Sequence, residues 1–337
     1  MSLGRMLETV RAEPSRFIGM ATVTSVEGSA FRHAGARMLI APDDRHVGTI
    51  SGGCLEADVV EHVRSMEPGS VKRIAYDTRS DDDLVWGTGS GCNGVISIVA
   101  ERWRAGEMPA HLLLLALKIE RSRVVLASSA NGYHHALLEP DGKATPRIEM
   151  TSHDEWFFDL ITPAESVTIF GSGDDACSVA GFADSLGWNV TLVDTRNVNA
   201  LPESVKTISA PVEEWGEIPQ AGQVVVMTHH FEKDLHALRH AFRSSATYIG
   251  LLGARGRTDR LLAALGETVD AARLHSPIGL DIGAETPAEI ALAIVGEMTA
   301  AARERRAGFL RDRISPLHEK EQVTSNKAPL PAGEGLG

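Results

Sequence analysis

The segment Val167 to Arg196, VTIFGSGDDACSVAGFADSLGWNVTLVDTR, constrains the fold of this chain more than any other stretch. An apolar, β-rich run ends at Gly171-Ser-Gly173-Asp-Asp-Ala176, and a helical pattern follows. A second β-branched run, Val190 to Asp194, then closes on an acid roughly 20 residues after the first glycine. That is the order of a βαβ nucleotide-binding unit. Gly171 permits a tight turn, Gly173 lets backbone approach a phosphate, and Ala176 lets helix and strand pack closely. The helix N-terminus presents unpaired N–H groups to an anion, and Asp194 stands where a ribose-binding carboxylate is expected. Asp174 and Asp175 argue against plain NAD(P) chemistry, because they occupy the positive end of the same helix and repel a pyrophosphate.

The alternation of strand and helix continues beyond this unit. Strands are expected at 166–171, 189–194, 223–228 and 247–252, with helices at 174–186, 232–243 and 256–265. A last helix starts after Pro287, where proline suits a first turn, and runs to about Arg306. The fold class predicted is α/β: a C-terminal Rossmann-like, doubly wound parallel sheet, plus a smaller N-terminal mixed α+β domain. Strand carboxyl ends in such a sheet face the ligand crevice. That rule singles out His229, His230 and Asp234, then Gly253 with the candidate phosphate clamp Arg255 and Arg257. Capping also explains Thr228 and Asp234, and Thr286 reads as an N-cap. Asp281, in the loop of glycines and acids ahead of the last helix, is the acid least explained by capping.

The N-terminal part reads as short strands, Phe17–Val26, Arg37–Ala41, His46–Ile50, Val71–Asp77 and Gly94–Glu101, with a helix Leu55–Ser65 among them. Between the last two strands, Arg79–Asn93 is polar and glycine-rich and reads as an exposed functional loop. Next come a helix His111–Glu120, a hairpin of Arg123–Ser128 with Tyr133–Leu138 around Asn131-Gly132, and a polar linker Thr145–Glu155. The domain plan is therefore 1–105, a connecting segment 106–163, a Rossmann-like domain 164–310 and a disordered tail 311–337.

A second chemical motif lies in the N-terminal part, Thr49-Ile-Ser51-Gly52-Gly53-Cys54-Leu-Glu56. Two glycines precede a thiol at the mouth of a helix, where backbone N–H groups form an anion-binding concavity. The same dipole favours the Cys54 thiolate, the form that attacks sulfur or binds metal. The alternative is that Cys54 is a small buried residue and the glycines only turn the chain. Glu56 stands beside the thiol as a second candidate catalytic group. In Glu27-Gly-Ser-Ala-Phe-Arg32-His33-Ala-Gly-Ala-Arg37, both arginines sit between strands, placed either to reach a phosphate or to pair with a local acid. Cys92 stands in the glycine-rich loop, but no CxxC or Cys/His spacing supports a metal site, and none is assigned.

Bulk properties narrow the partners. A formal net charge of −12 argues against nonspecific nucleic-acid binding and against an anionic membrane surface. No apolar run approaches the roughly 20 residues needed to span a bilayer. The N-terminus lacks a continuous apolar signal core, and the three cysteines are too scattered for a disulfide framework. The expectation is a soluble, cytoplasmic protein.

Taken together, Glu27-Gly-Ser…Gly35-Ala-Arg37-Met38, Ser51-Gly-Gly-Cys-Leu-Glu56, Gly91-Cys92-x-Gly94, Gly171-x-Gly-x-Asp175-Ala176, Tyr248-Ile-Gly-Leu-Leu-Gly253 and Pro277-Ile-Gly-Leu-Asp-Ile-Gly-Ala-Glu-Thr-Pro287 resemble the XdhC/CoxI family. These are accessory factors for maturation of xanthine dehydrogenase and related molybdenum hydroxylases. The resemblance covers nearly all the chain except the middle section and the tail. It implies a chaperone that binds molybdenum cofactor, a pyranopterin dithiolene with a phosphate or dinucleotide tail. It also implies that the chaperone assists cofactor sulfuration with a cysteine desulfurase and hands the cofactor to the apo-hydroxylase. A homodimer is implied as well. On this reading Gly171, Gly173 and Asp175 hold the tail or pterin, Asp194 and Arg196 border it, and Cys54 faces the molybdenum centre or a sulfur donor. Phe31 stands where the family commonly has proline, which bears on the approach of Arg32. Asn93 stands where glycine is common, which bears on the stiffness of the Cys92 loop. An NAD(P)-dependent oxidoreductase is the rival reading, and a sulfur or metal carrier built on Cys54 and Cys92 is a third.

Overall fold

The structure is a computed structural model that describes residues 3–79, 93–120, 122–129, 134–140, 156–196, 201–266 and 269–312. Two compact units divide between Pro163 and Ala164. In the first, α1 (Leu3–Ala12) leads into β1 (Gly19–Ser29), β2 (Arg37–Ile40), β3 (His46–Gly48), α2 (Glu56–Ser65), β4 (Val71–Asp77) and β5 (Asn93–Arg102). The chain continues through α3 (Ala110–Ile119), β6 (Val124–Ser129), β7 (His135–Leu138) and β8 (Trp156–Ile161). The strands form an antiparallel five-stranded sheet, β3-β2-β1-β5-β4, and an antiparallel three-stranded sheet, β7-β6-β8.

Strand parity decides which layer each residue enters, because successive side chains point to opposite faces. Ala21, Val23, Met38, Ile40, Ile98 and Ala100 pack on one face with Val59, Val60 and Val63 of α2. Met20 and Leu39 point the other way, into a cluster with Met6, Leu7 and Val10 of α1, Leu112 and Leu115 of α3, and Leu126 and Leu137. The section from 106 to 163 is therefore no connector. Its helix and strands complete the second face of the five-stranded sheet. The sequence pattern suggests a linker up to Glu155 and no strand after it, yet β8 begins at the next residue. The linker itself, the Asn131-Gly132 turn, Cys92 and the tail from 313 lie outside the described residues.

The second unit contains β9 (Ser166–Phe170), α4 (Asp174–Ser185), β10 (Asn189–Asp194), β11 (Lys206–Ser209), β12 (Gly222–Val226) and α5 (Phe231–Arg243). It continues through β13 (Ala246–Leu251), α6 (Arg255–Leu265), β14 (Leu274–His275) and α7 (Pro287–Ala302). The six strands are parallel in the order β11-β10-β9-β12-β13-β14. Renumbered within the unit this is 3-2-1-4-5-6, the Rossmann order, with its switch point between β9 and β12. The strands bury both faces. Val167, Ile169 and Leu192 meet Ala176, Val179 and Ala183 of α4 and Ile294 and Met298 of α7. Phe170, Val193, Val224 and Val226 meet Ala237 and Leu238 of α5 and Leu261 of α6. Thr286 caps α7 in a reciprocal capping box with Glu289.

Candidate functional site

Each unit carries a site of its own. In the first, the turn from β3 into α2 is organised around the buried carboxylate of Glu56, which accepts from the Thr49 hydroxyl at 2.5 Å, from the Ser51 N–H at 2.9 Å and from the Ile50 N–H at 3.2 Å. The Ser51 hydroxyl also donates to Glu56, and its oxygen accepts the N–H groups of Leu55 at 3.1 Å and Gly53 at 3.2 Å. Burial alone would raise the Glu56 carboxyl, but the hydrogen bonds from Ser51, Thr49 and the backbone outweigh it and bring the group to about 2. Glu56 is thus an ionised clamp on the loop. Its position in the motif makes it a candidate catalytic group, but its lone pairs are taken up by loop donors, which suits positioning.

What the clamp holds in place is Gly52, Gly53 and Cys54. Gly53 adopts φ +106°, a left-handed conformation that favours glycine, and no atom lies within 4 Å of where a Cβ would stand. The two glycines line an open cleft of about 550 Å³, with Phe31, Asp44, His46 and Glu61 among its other walls. Cys54 is the next residue, half-buried and without a disulfide. Phe31 is 66% exposed, and its ring stands 3.5 Å from the Cβ position of Gly52. Arg32 follows it on the exposed loop.

Arg37 does not reach a phosphate from a loop, one of the two roles its sequence position allows. It is buried in β2, donates to the Gly35 carbonyl at 2.9 Å and pairs with Asp159 of β8 at 2.7 Å. The physical reason is parity. Arg37 shares a face with Leu39, the face turned toward the three-stranded sheet.

The second unit places its residues around the carboxyl ends of β9, β10, β12 and β13. Gly171 has φ +133°, and a Cβ there would fall 2.6 Å from the Met227 carbonyl oxygen, so the turn brings two strand ends into backbone contact at the switch point. Gly173 is the N-cap of α4, with open space at its Cβ position. Asp175 pairs with His229 Nε2 at 3.3 Å. Asp194 is 2% exposed. It accepts from the Ser172 hydroxyl and the Thr195 N–H, each at 2.6 Å, and Lys233 stands 3.6 Å away. Burial raises its carboxyl, but the Ser172 and Thr195 hydrogen bonds and Lys233 leave it below its usual value. Arg196 is exposed and donates to the Ser172 hydroxyl at 2.8 Å.

Asp234 is fully buried and holds the turn after β12, accepting from the Thr228 hydroxyl at 2.6 Å, the Thr228 N–H at 3.1 Å and Arg257 at 2.6 Å. It stands in the first turn of α5 as an anchor for that turn rather than as a side-chain cap, since it bonds no N–H of the helix. A pocket of about 410 Å³ is lined by His229, Leu252, Gly253, Ala254, Arg257 and Pro277. Arg257 lines it, while Arg255 is exposed at the first position of α6 and Asp281 is exposed in its loop; neither belongs to the lining. Sequence reasoning finds neither Lys233 nor Ser172, although Ser172 lies inside the glycine turn itself.

The fold also gathers residues that no motif flags. Glu101, His111 and His135 bring their donor atoms within 4.8 Å of one another inside the first unit. Strand parity is the available signal for one of them, since Glu101 points opposite to Ile98 and Ala100.

Comparison with known proteins supports the same division. Residues 167–298 match the XdhC Rossmann domain and residues 13–77 match the XdhC and CoxI family. The chain is 34% identical to a probable xanthine dehydrogenase subunit of Bacillus subtilis, over 83% of its own length and 91% of that protein's. It is 24% identical to the molybdenum cofactor insertion chaperone PaoD of Escherichia coli, over 83% of its own length and 82% of PaoD. Its fold superposes on a Bacillus halodurans crystal structure described as a xanthine dehydrogenase with a TM-score of 0.74 and 30% identity, covering 91% of this chain and 97% of that one.

Proposed function

This chain belongs to the XdhC/CoxI family, and from that premise we propose that it binds molybdenum cofactor and delivers it to a xanthine dehydrogenase-type molybdenum hydroxylase. The relative named as a molybdenum cofactor insertion chaperone supports the cargo, and the relative named for a xanthine dehydrogenase supports the class of recipient. The single observation that carries the reading is the clamped Ser51-Gly52-Gly53-Cys54 loop, which presents a half-buried free thiol beside an open cleft.

Charge and strand order divide the work between the two sites. The cleft beside Gly52 and Gly53 is lined by Asp44, Glu56 and Glu61, which disfavour a phosphate. The pocket of the second unit has no carboxylate in its lining; of its two basic wall residues, Arg257 is held by the buried Asp234 at 2.6 Å and His229 stands 3.3 Å from Asp175. We assign the tail of the cofactor to the crevice at the carboxyl ends of the parallel strands, on the strand order rather than on free charge, and sulfur chemistry at Cys54 is a separate role of the first unit. Assistance in sulfuration with a cysteine desulfurase, and a homodimeric state, belong to the same proposal.

A dinucleotide-dependent oxidoreductase is the second reading, favoured by the 3-2-1-4-5-6 strand order. Against it, Asp194 is 2% exposed and both its oxygens already accept from local donors, so a ribose hydroxyl would share Oδ2 with the Ser172 hydroxyl. Asp194→Ala tests this reading through NAD(P) titration, which a true ribose carboxylate would weaken and a structural one would not.

The decisive assay mixes the purified chain, loaded in a host that makes molybdenum cofactor, with an apo-hydroxylase. Wild-type chain is expected to restore hydroxylase activity, while Cys54→Ser binds cofactor and restores little. Equal restoration by Cys54→Ser would remove the thiol from the mechanism.

A further inference from the structure

The buried group Glu101, His111 and His135 shares no residue with either site. Glu101 is near the end of β5, His111 sits in the first turn of α3, and His135 starts β7. The side chains of Glu101 and His111 are only 8% and 15% exposed. His111 Nε2 stands 3.6 Å from a Glu101 oxygen, too far for a hydrogen bond, and is buried with no hydrogen-bond partner. An orphaned buried ring nitrogen beside a buried carboxylate is costly, and a metal ion satisfies both at once.

The imidazoles of His111 and His135 stack with centroids 3.7 Å apart and planes 13° from parallel, so one ring must turn out of the stack for both in-plane lone pairs to face one ion. The Ser128 hydroxyl lies 2.9 Å from His135 Nδ1 and orients that ring from behind, as second partners of metal-bound histidines do. Arg37, a cation whose charge is felt by both Glu101 and His111, is paired with Asp159 at 2.7 Å. Tetrahedral zinc bonds of about 2.0–2.1 Å place neighbouring N and O ligands roughly 3.3 Å apart. The donor atoms already lie within 4.8 Å of one another, so turning one imidazole about its side-chain torsions is the movement needed to close on an ion.

We propose that Glu101, His111 and His135 bind a divalent transition-metal ion of the zinc type, with a fourth position left for water or another ligand. The proposal is independent of the molybdenum cofactor reading, because it concerns different residues and is read out by metal alone.

The test uses the full chain, stripped with a chelator and titrated with Zn²⁺ followed by melting temperature, and with Co²⁺ followed by visible absorption. One equivalent of Co²⁺ is expected to give the intense bands of a four-coordinate N/O site, and Zn²⁺ to raise the melting temperature. Glu101→Gln and His135→Ala are expected to weaken binding by roughly tenfold or more. His111→Ala is a further variant; if it fails to fold, the other two decide. His236 and His240 on α5, with Nε2 atoms 3.1 Å apart, are the competing locus, and His236→Ala/His240→Ala is the control. Binding that survives in this control and is lost in Glu101→Gln or His135→Ala upholds the proposal. No binding by wild type, or loss only in the α5 variant, overturns it.

Discussion

Glu56 gives the loop before α2 a shape that two consecutive glycines would not hold by themselves. Its carboxyl lies near 2 in the folded chain against 4.5 for the free group. A depressed value means that its stabilisation is fully present above about 4.5 and is lost as pH falls toward about 2. Glu56→Gln, which puts an amide NH₂ among donors, is expected to cost about 2–3 kcal/mol at pH 7. Urea denaturation at several pH values checks this, and the gap between variant and wild type should narrow through the acid range. Cys54→Ser, by contrast, replaces a half-buried thiol that packs against the core beneath α2 with a group of nearly the same shape, and should cost about 1 kcal/mol. A loss of several kcal/mol would mean that the variant reports on folding rather than on the chemistry of the thiol. At this scale the sequence is half legible. The Ser-Gly-Gly-Cys motif marks the loop, but the partners of Arg37 and Glu101 come from β8, α3 and β7, and no local pattern announces a pairing across such separations.

Elements are the most legible level, because helix and strand periods survive in sequence wherever one or both faces are buried. β4 falls at Val71–Asp77, as its pattern predicts, and α7 starts at Pro287, behind its Thr286 cap. Three strands escape that rule, the two-residue β14 being too short to show a period. β11, Lys206–Ser209, is an exposed edge strand with a polar sequence, so its ladder rather than its side chains defines it. β8, Trp156–Ile161, is aromatic and apolar except for Asp159, without the alternation that marks a half-buried strand. The glycine turn offers a sharp comparison at this scale. Gly171→Ala must resolve a 2.6 Å clash with the Met227 carbonyl at φ +133°, and should destabilise the second unit by about 2–4 kcal/mol. Gly173→Ala sits at φ −69° with open space and should fold normally, so any loss of cofactor retention it shows reports on the ligand. Thermal melts of both variants separate the two expectations.

For the molecule as a whole, two units with separate hydrophobic clusters mean two separable folding problems. Residues 164–312 contain both clusters that sandwich the parallel sheet, and should fold alone. A fragment of residues 1–105 should not, because Met6, Leu7 and Val10 would lose Leu112, Leu115 and Leu126, whereas residues 1–163 keep them. Circular dichroism and melting of the three fragments check this; a cooperative melt from residues 1–105 would show that the middle section is dispensable. Among the described residues no helix is long and apolar enough to cross a membrane. The central claim, that this family member carries molybdenum cofactor, is tested most directly by quantifying molybdenum and pterin in the chain purified from a cofactor-producing host. Near-stoichiometric molybdenum with an organic pterin, reduced in a variant of Arg257 or Gly173, is the predicted result; wild-type chain free of both metal and pterin would contradict the account.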